Sequence, residues 1–126
     1  LFQSGLPIPA CEASMQIRTA VYTRYAAAEK EFTSGNDAGR FEQEVREIAP
    51  LVDSARPGSL LLLNEIFQTT AYSEGAEGLY NILCYLNRHG TSFILVTHLR
   101  ELLGKFSGGV INLRTKEGYR LERVET

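Results

Sequence analysis

Two uninterrupted apolar runs, each closed by polar residues, constrain this chain more than anything else in it. Ser59-Leu60-Leu61-Leu62-Leu63 ends in Asn64-Glu65, and Phe93-Ile94-Leu95-Val96 ends in Thr97-His98. Neither run alternates polar with apolar, so each reads as a strand covered on both faces, the pattern of parallel sheets. Their separation, about thirty residues, is that of a strand–helix–strand unit. Between them Leu79, Ile82, Leu83 and Leu86 recur at helical spacing, and the intervening segment reads as an amphipathic helix. Ser73 is the expected N-cap with Glu74 in the first turn, and His89-Gly90 ends the helix. Parallel strands joined in this way require a right-handed crossover. The predicted fold class is α/β, with a parallel sheet core flanked by helices and a C-terminal β-hairpin.

The remaining segments fit around that unit. Gln16 to Tyr25, rich in β-branched and aromatic residues, predicts a further strand. Ser34-Gly35-Asn36-Asp37-Ala38-Gly39 reads as a polar loop. Phe41, Val45, Ile48, Val52 and Ala55 then predict a helix, which Pro50 is expected to kink or to end near Ala49. Arg56-Pro57-Gly58 is a turn, and Leu99 to Leu103 a short helix stopped by Gly104. Gly108 to Arg114 and Tyr119 to Val124 flank Lys116-Glu117-Gly118 as a hairpin. The chain opens with Leu1-Phe2-Gln3-Ser4, which resembles a last helical turn stopped by Gly5 and Pro7. It lacks an initiator Met, and the expectation is that residues 1–126 are a piece of a single domain of a longer polypeptide.

Composition narrows the function classes. A formal net charge of −2 leaves no basic surplus for a nucleic-acid-binding face. No apolar run approaches the length of a membrane span, and no basic-then-apolar leader is present, so a cytoplasmic location without membrane contact is expected. The two cysteines, Cys11 and Cys84, have no metal-type spacing and read as buried, inert thiols.

The chemistry-bearing residues sit where the apolar runs stop. In open α/β folds ligands bind beyond the C-terminal ends of the strands, and there the chain offers a carboxylate on Glu65 and an imidazole on His98. A carboxylate so placed can accept a hydrogen bond from an attacking water and aim it at a γ-phosphate, although an acid at a strand end also serves as a helix cap. Asn64 stands where such sites hold Mg²⁺ through an aspartate; its amide oxygen is a weaker ligand for a hard cation but can order a magnesium-bound water. His98 can hydrogen-bond a γ-phosphate oxygen, and a lone His there is also a common surface or capping residue. The Ser34–Gly39 loop precedes a helix, whose free N–H groups and dipole favour an anion. No Gly-x-x-x-x-Gly-Lys-Ser/Thr phosphate loop occurs.

Taken in order, these segments resemble a family. Asn64-Glu65-Ile66-Phe67-Gln68-Thr69-Thr70-Ala71-Tyr72-Ser73-Glu74-Gly75 is similar to the acidic-strand motif of MutS-type ATPases, Asp-Glu-Ile-Gly-Arg-Gly-Thr-Ser-Thr-x-Asp-Gly. Val96-Thr97-His98-Leu99-Arg100-Glu101-Leu102 resembles the family's Ala-Thr-His-x-x-Glu-Leu, and Val21-Tyr22-Thr23-Arg24 its Ile-Phe-Thr-Arg strand. Gly39-Arg40-Phe41-Glu42-Gln43-Glu44-Val45 is similar to the signature helix Ser-Thr-Phe-x-x-Glu-Met, and Pro7-Ile8-Pro9-Ala10 to the Val-Pro-Ala after the phosphate-loop helix. The departures are Asn64 for the magnesium-side Asp, Gly39-Arg40 for Ser-Thr, and Phe67-Gln68-Thr69 for Gly-Arg-Gly.

The resemblance implies a partial P-loop NTPase fold of the ABC type, with its phosphate loop upstream of Leu1. It implies ATP and Mg²⁺ as ligands, with Glu65 and His98 catalytic. Asn64 (through a magnesium-bound water), Thr70, Ser34, Gly35, Gly39 and Arg40 fall at nucleotide-binding positions. It also implies a second copy of the domain as partner in a homodimer, and DNA bound through other domains. The function expected is ATP binding and hydrolysis in a divergent MutS-like mismatch repair or DNA-processing protein, the 126 residues alone being inactive. The alternatives are a non-catalytic, nucleotide-gated interaction module and a piece of another ABC-type ATPase.

Overall fold

A computed structural model describes residues 1–25, 37–67, 72–106 and 108–124, and for 37–41 and 72–74 the backbone alone. Its elements are β1 (Val21–Tyr25), α1 (Asp37–Ser54), β2 (Leu60–Asn64), α2 (Tyr72–Arg88), β3 (Ser92–Val96), β4 (Leu113–Lys116) and β5 (Arg120–Arg123), with 3-10 turns at Phe2–Ser4 and Arg100–Leu102. The three strands β1-β2-β3 pair in parallel, in chain order. β4 and β5 form a separate antiparallel hairpin.

The sequence order of the strands decides where the core lies. Two crossovers of the same hand, stepping the same way across the sheet, place both helices on one face. That face carries Tyr22, Leu61, Leu63, Phe93 and Leu95, and packs against Ile48 of α1 and Ala76, Leu79, Leu83 and Leu86 of α2. The expectation of double coverage holds for most of β2 but not for β3. Alternate β3 positions, Ile94 at 57% and Val96 at 53%, are open, as are Val21 and Tyr25 of β1 on the same side.

Several boundaries differ from the sequence reading for identifiable reasons. β1 begins at Val21 rather than Gln16, and before it the Gln3 side-chain amide bridges the main chain of Arg18. Its Nε2 donates to the Arg18 carbonyl, and its Oε1 accepts from the Arg18 N–H, both at 2.7 Å. α1 runs through Pro50 to Ser54. A proline inside a helix costs about 3 kcal/mol, and Ser54 Oγ donates back to the Pro50 carbonyl. Against that cost stand buried Ile48 and partly buried Leu51, Val52 and Ala55, each worth up to about 1.5–3 kcal/mol when fully covered. Burial wins.

α2 starts at Tyr72, so Ser73 is inside the helix rather than its cap. The short helix after β3 is the 3-10 turn Arg100–Leu102, and the hairpin turn is Glu117-Gly118-Tyr119 rather than Lys116-Glu117-Gly118. Cys11 is exposed and Cys84 half-buried, correcting the expectation of buried thiols. At the opposite end of the sheet from Asn64, Gly58 is required: its φ is +82°, and a Cβ there would meet Thr19 Oγ1 at 2.7 Å. Among the described residues no helix is long and apolar enough to cross a membrane.

Candidate functional site

The C-terminal rim of the sheet is set by the register Tyr25–Asn64–Val96. Asn64, half-buried, is the last residue of β2. Glu65 leaves the strand in the left-handed region with φ 57°, and Phe67 follows at 61°. Such backbone is rare for side chains of this size and costs about 1–3 kcal/mol per residue. It is held by its surroundings. The Glu65 N–H donates to the Val96 carbonyl at 2.8 Å, extending the β2–β3 ladder past the strand end. Ile66 and Phe67 are buried directly after it.

This turn delivers the Glu65 carboxylate into a half-enclosed position, its side chain 19% exposed. Oε1 lies 2.7 Å from Nδ1 of His98. A carboxylate only accepts, so the contact makes Nδ1 the proton-bearing nitrogen. Oε2 is buried and has no hydrogen-bond partner among the described residues. An orphaned carboxylate oxygen costs free energy, and in a native site it calls for a ligand, an ion or a water. His98 itself is 82% exposed. It is carried by the segment after β3, where the Leu99 N–H donates to Thr97 Oγ1 at 3.0 Å and Leu99 is buried. One strand end thus supplies a constrained acid and its neighbour an imidazole open to solvent.

The other expected site residues divide. Gly39 and Arg40 lie within α1 as helical backbone, which corrects the loop reading that ran to Gly39. They belong to the first turn, whose N–H groups have no intrahelical acceptor. Ser34, Gly35 and Thr70 lie outside the described residues. For a divalent cation the rim offers an amide oxygen on Asn64 and the free Oε2 of Glu65. That donor set suits a hydrated Mg²⁺ whose remaining ligands are waters and phosphates. Among the described residues no group of three or more His, Cys, Asp and Glu is arranged to hold a metal ion.

Sequence reasoning missed one pair. Arg24 Nη2 donates to Glu47 Oε2, joining β1 to α1 on the helix-covered face. The signal was present in β1, where alternation puts Arg24 on the same side as Tyr22. Away from the rim, a cavity of about 150 Å³ is lined by Tyr80, Cys84, Phe93 and Phe106 among others. There the hydrogen bond with the Cys84 sulfur, and next the negative charge of its thiolate form, hold the Tyr80 hydroxyl above its ordinary pKa.

Comparison with known proteins gives this rim a context. The family described as MutS domain V matches residues 1–115. The DNA mismatch repair protein MutS of Chlorobium chlorochromatii is 32% identical over 127 aligned positions, 98% of this chain and 14% of that protein. The mismatch repair protein msh-3 of Neurospora crassa is 31% identical over 109 positions, covering 86% and 9%. Endonuclease MutS2 of an Anaeromyxobacter species is 31% identical over 107, covering 81% and 12%. The chain therefore spans only a small part of the relatives it matches. With a family match over nearly its whole length and an acid–imidazole pair on one parallel rim, the chain belongs to the MutS domain V family.

Proposed function

We propose that this chain is part of an ATP-binding and ATP-hydrolysing domain of the ABC type in a MutS-like DNA mismatch repair or DNA-processing protein. In this reading its nucleotide state is coupled to DNA held by other parts of that protein. The observation that carries the reading is the Glu65 carboxylate, locked by a left-handed backbone, with one oxygen on His98 and the other buried and, among the described residues, unpartnered. Oε2 is where an attacking water is held, as a general base requires a hydrogen-bond acceptor within reach of the proton it takes. His98, exposed and tied to the acid, is placed to answer the arrival or loss of a γ-phosphate. Asn64 orients a magnesium-bound water, and Mg²⁺ with ATP supplies charge neutralisation of the transferred group. The N-terminal end of α1, with Gly39 and Arg40, contacts the nucleotide of a second copy, and the family resemblance alone gives Ser34, Gly35 and Thr70 nucleotide-binding roles.

The test is Glu65→Gln in the intact protein. The amide keeps the size and the His98 contact but cannot take a proton. We expect ATP to bind with unchanged affinity while steady-state hydrolysis falls by about a hundredfold or more. Undiminished turnover rejects the role of Glu65. Asn64 at the magnesium-side position favours one second reading, a nucleotide-gated interaction module without hydrolysis. ATP binding with no Mg²⁺-dependent turnover in the unaltered protein would establish it.

A further inference from the structure

The helix-covered face of the sheet is apolar except at one position. Beside Tyr22, Leu61, Leu63, Phe93 and Leu95 it carries Arg24. A guanidinium on such a face is costly unless paired, and it is paired. Its Nη2 reaches Glu47 Oε2 with both side chains about 30% exposed, at 31% and 29%. The second oxygen of Glu47 accepts from Gln43 Nε2 at 3.4 Å, one turn back along α1. Part-buried ion pairs of this kind add little net stability over apolar side chains of equal size. What they add is direction.

The position of the pair along α1 shows what direction is needed. Among the described α1 side chains only Ile48 is fully buried, with Val45, Leu51, Val52 and Ala55 partly covered around it and just beyond the helix end. Among the described side chains, core packing on α1 thus centres on Ile48, the residue next to Glu47. A crossover helix runs antiparallel to its strands, so its N-terminal half lies toward the C-terminal rim, the end that carries Glu65. From Asp37 to Glu47 that arm is about 15 Å long at 1.5 Å per residue. A tilt of about 4° at its base moves its tip by about 1 Å, a displacement that can cost a reaction about a hundredfold. Arg24 lies one residue before Tyr25, which shares the rim register with Asn64. The same side chain thus ties the helix arm to the rim.

We infer that Arg24 and Glu47 form a positioning clamp that sets the bearing of the N-terminal arm of α1 relative to the rim, and so its fit against nucleotide held by a second copy. The inference rests on the ATPase reading above. Neither residue touches nucleotide; both act through the helix they orient.

Three variants of the intact protein test it. Arg24→Met with Glu47→Met replaces the pair by apolar side chains of similar length and keeps the fold. Arg24→Glu with Glu47→Arg restores the pair in reverse, and Glu65→Gln controls for the underlying reading. The double-Met protein is expected to melt like the unaltered one and to keep its KM for ATP. Its kcat should fall by about ten- to a hundredfold, and ATP-dependent association of two copies, followed by analytical ultracentrifugation, should weaken in parallel. The reversed pair is expected to recover both. Normal kcat and association in the double-Met protein, or no recovery in the reversed pair, overturns the clamp, while loss of turnover in Glu65→Gln leaves the ATPase reading standing. Turnover that survives Glu65→Gln, or an unaltered protein with neither turnover nor ATP-dependent association, overturns both.

Discussion

Replacing Glu65 by Asn should make the protein more stable, and the structure sets the size of the gain. Glu65 holds a left-handed backbone at φ 57°, which Asn adopts far more readily than Glu; relief is worth about 1 kcal/mol. Its Oε2 is buried without a partner among the described residues, and exchanging that ionised oxygen for an uncharged amide returns about 1–2 kcal/mol of desolvation cost. Two losses oppose these. One buried methylene is worth about 0.8 kcal/mol. The contact with His98 is worth about 0.5 kcal/mol, at the low end because that imidazole is 82% exposed. The balance is a stabilisation of about 1 kcal/mol, which raises the unfolding midpoint of a chain of this size by about 4 °C. Thermal unfolding of the 126-residue chain followed by circular dichroism measures it, and ATP turnover of the intact protein carrying the same substitution is expected to be lost. A variant less stable than the parent by a comparable amount would refute both the backbone strain and the orphaned oxygen as costs. Strain that raises function at the expense of stability is the signature of a working site.

Two further outcomes follow from the same structure. Leu61→Ala, at a fully buried β2 position, should cost about 2–5 kcal/mol in urea unfolding, whereas Ile94→Ser on the open face of β3 should change stability by about 0.5 kcal/mol or less. In the hairpin, hydrogen bonds from Lys116 and Arg114 hold the Glu122 carboxyl below its ordinary value of 4.5. Its folded-state pKa being lowered, the contribution is present above 4.5 and is lost as pH falls through the lower folded value. Titration of Glu122 by NMR should therefore give a midpoint below 4.5, restored toward it by Arg114→Gln with Lys116→Gln.

Much of the fold was legible because its strongest signals were long apolar runs. Leu60–Leu63 and Phe93–Val96 could be strands of little else than a parallel pair, and their polar ends marked the rim where Glu65 and His98 meet. What the residues could not announce came from tertiary partners. Gln3 occupies the main chain of Arg18 from fifteen residues away, within the stretch that reads as strand. Core packing carries α1 through Pro50 despite the propensity penalty. The open side of β3 escaped notice because periodicity reports which residues are apolar, not which layers arrive to cover them. Arg24 was read only as one letter of a motif. Its pairing with Glu47 depends on how α1 lies across the sheet, which no local pattern encodes.

The turn after β2 shows how one sequence change can be absorbed by a different physical device. The motif that this segment resembles carries glycine where the chain has Phe67, and the backbone there still adopts φ 61°, the region glycine enters freely. Phe67 lacks that freedom, yet it is 1% exposed and packs in the core with Ile66. Burying a phenyl ring is worth about 1.5–3 kcal/mol, comparable with the left-handed penalty of about 1–3 kcal/mol, and Ile66 adds its own burial on the same side of the balance. The conformation that glycine would permit is here enforced by packing. The consequence falls on Glu65 immediately before. A permissive glycine lets the turn relax and re-form, whereas two buried side chains fasten it to the core. The carboxylate is then held at one position on the rim, with Oε1 on His98 and Oε2 facing inward. The constraint that would look like damage to a glycine-rich motif is also what fixes the acid in place.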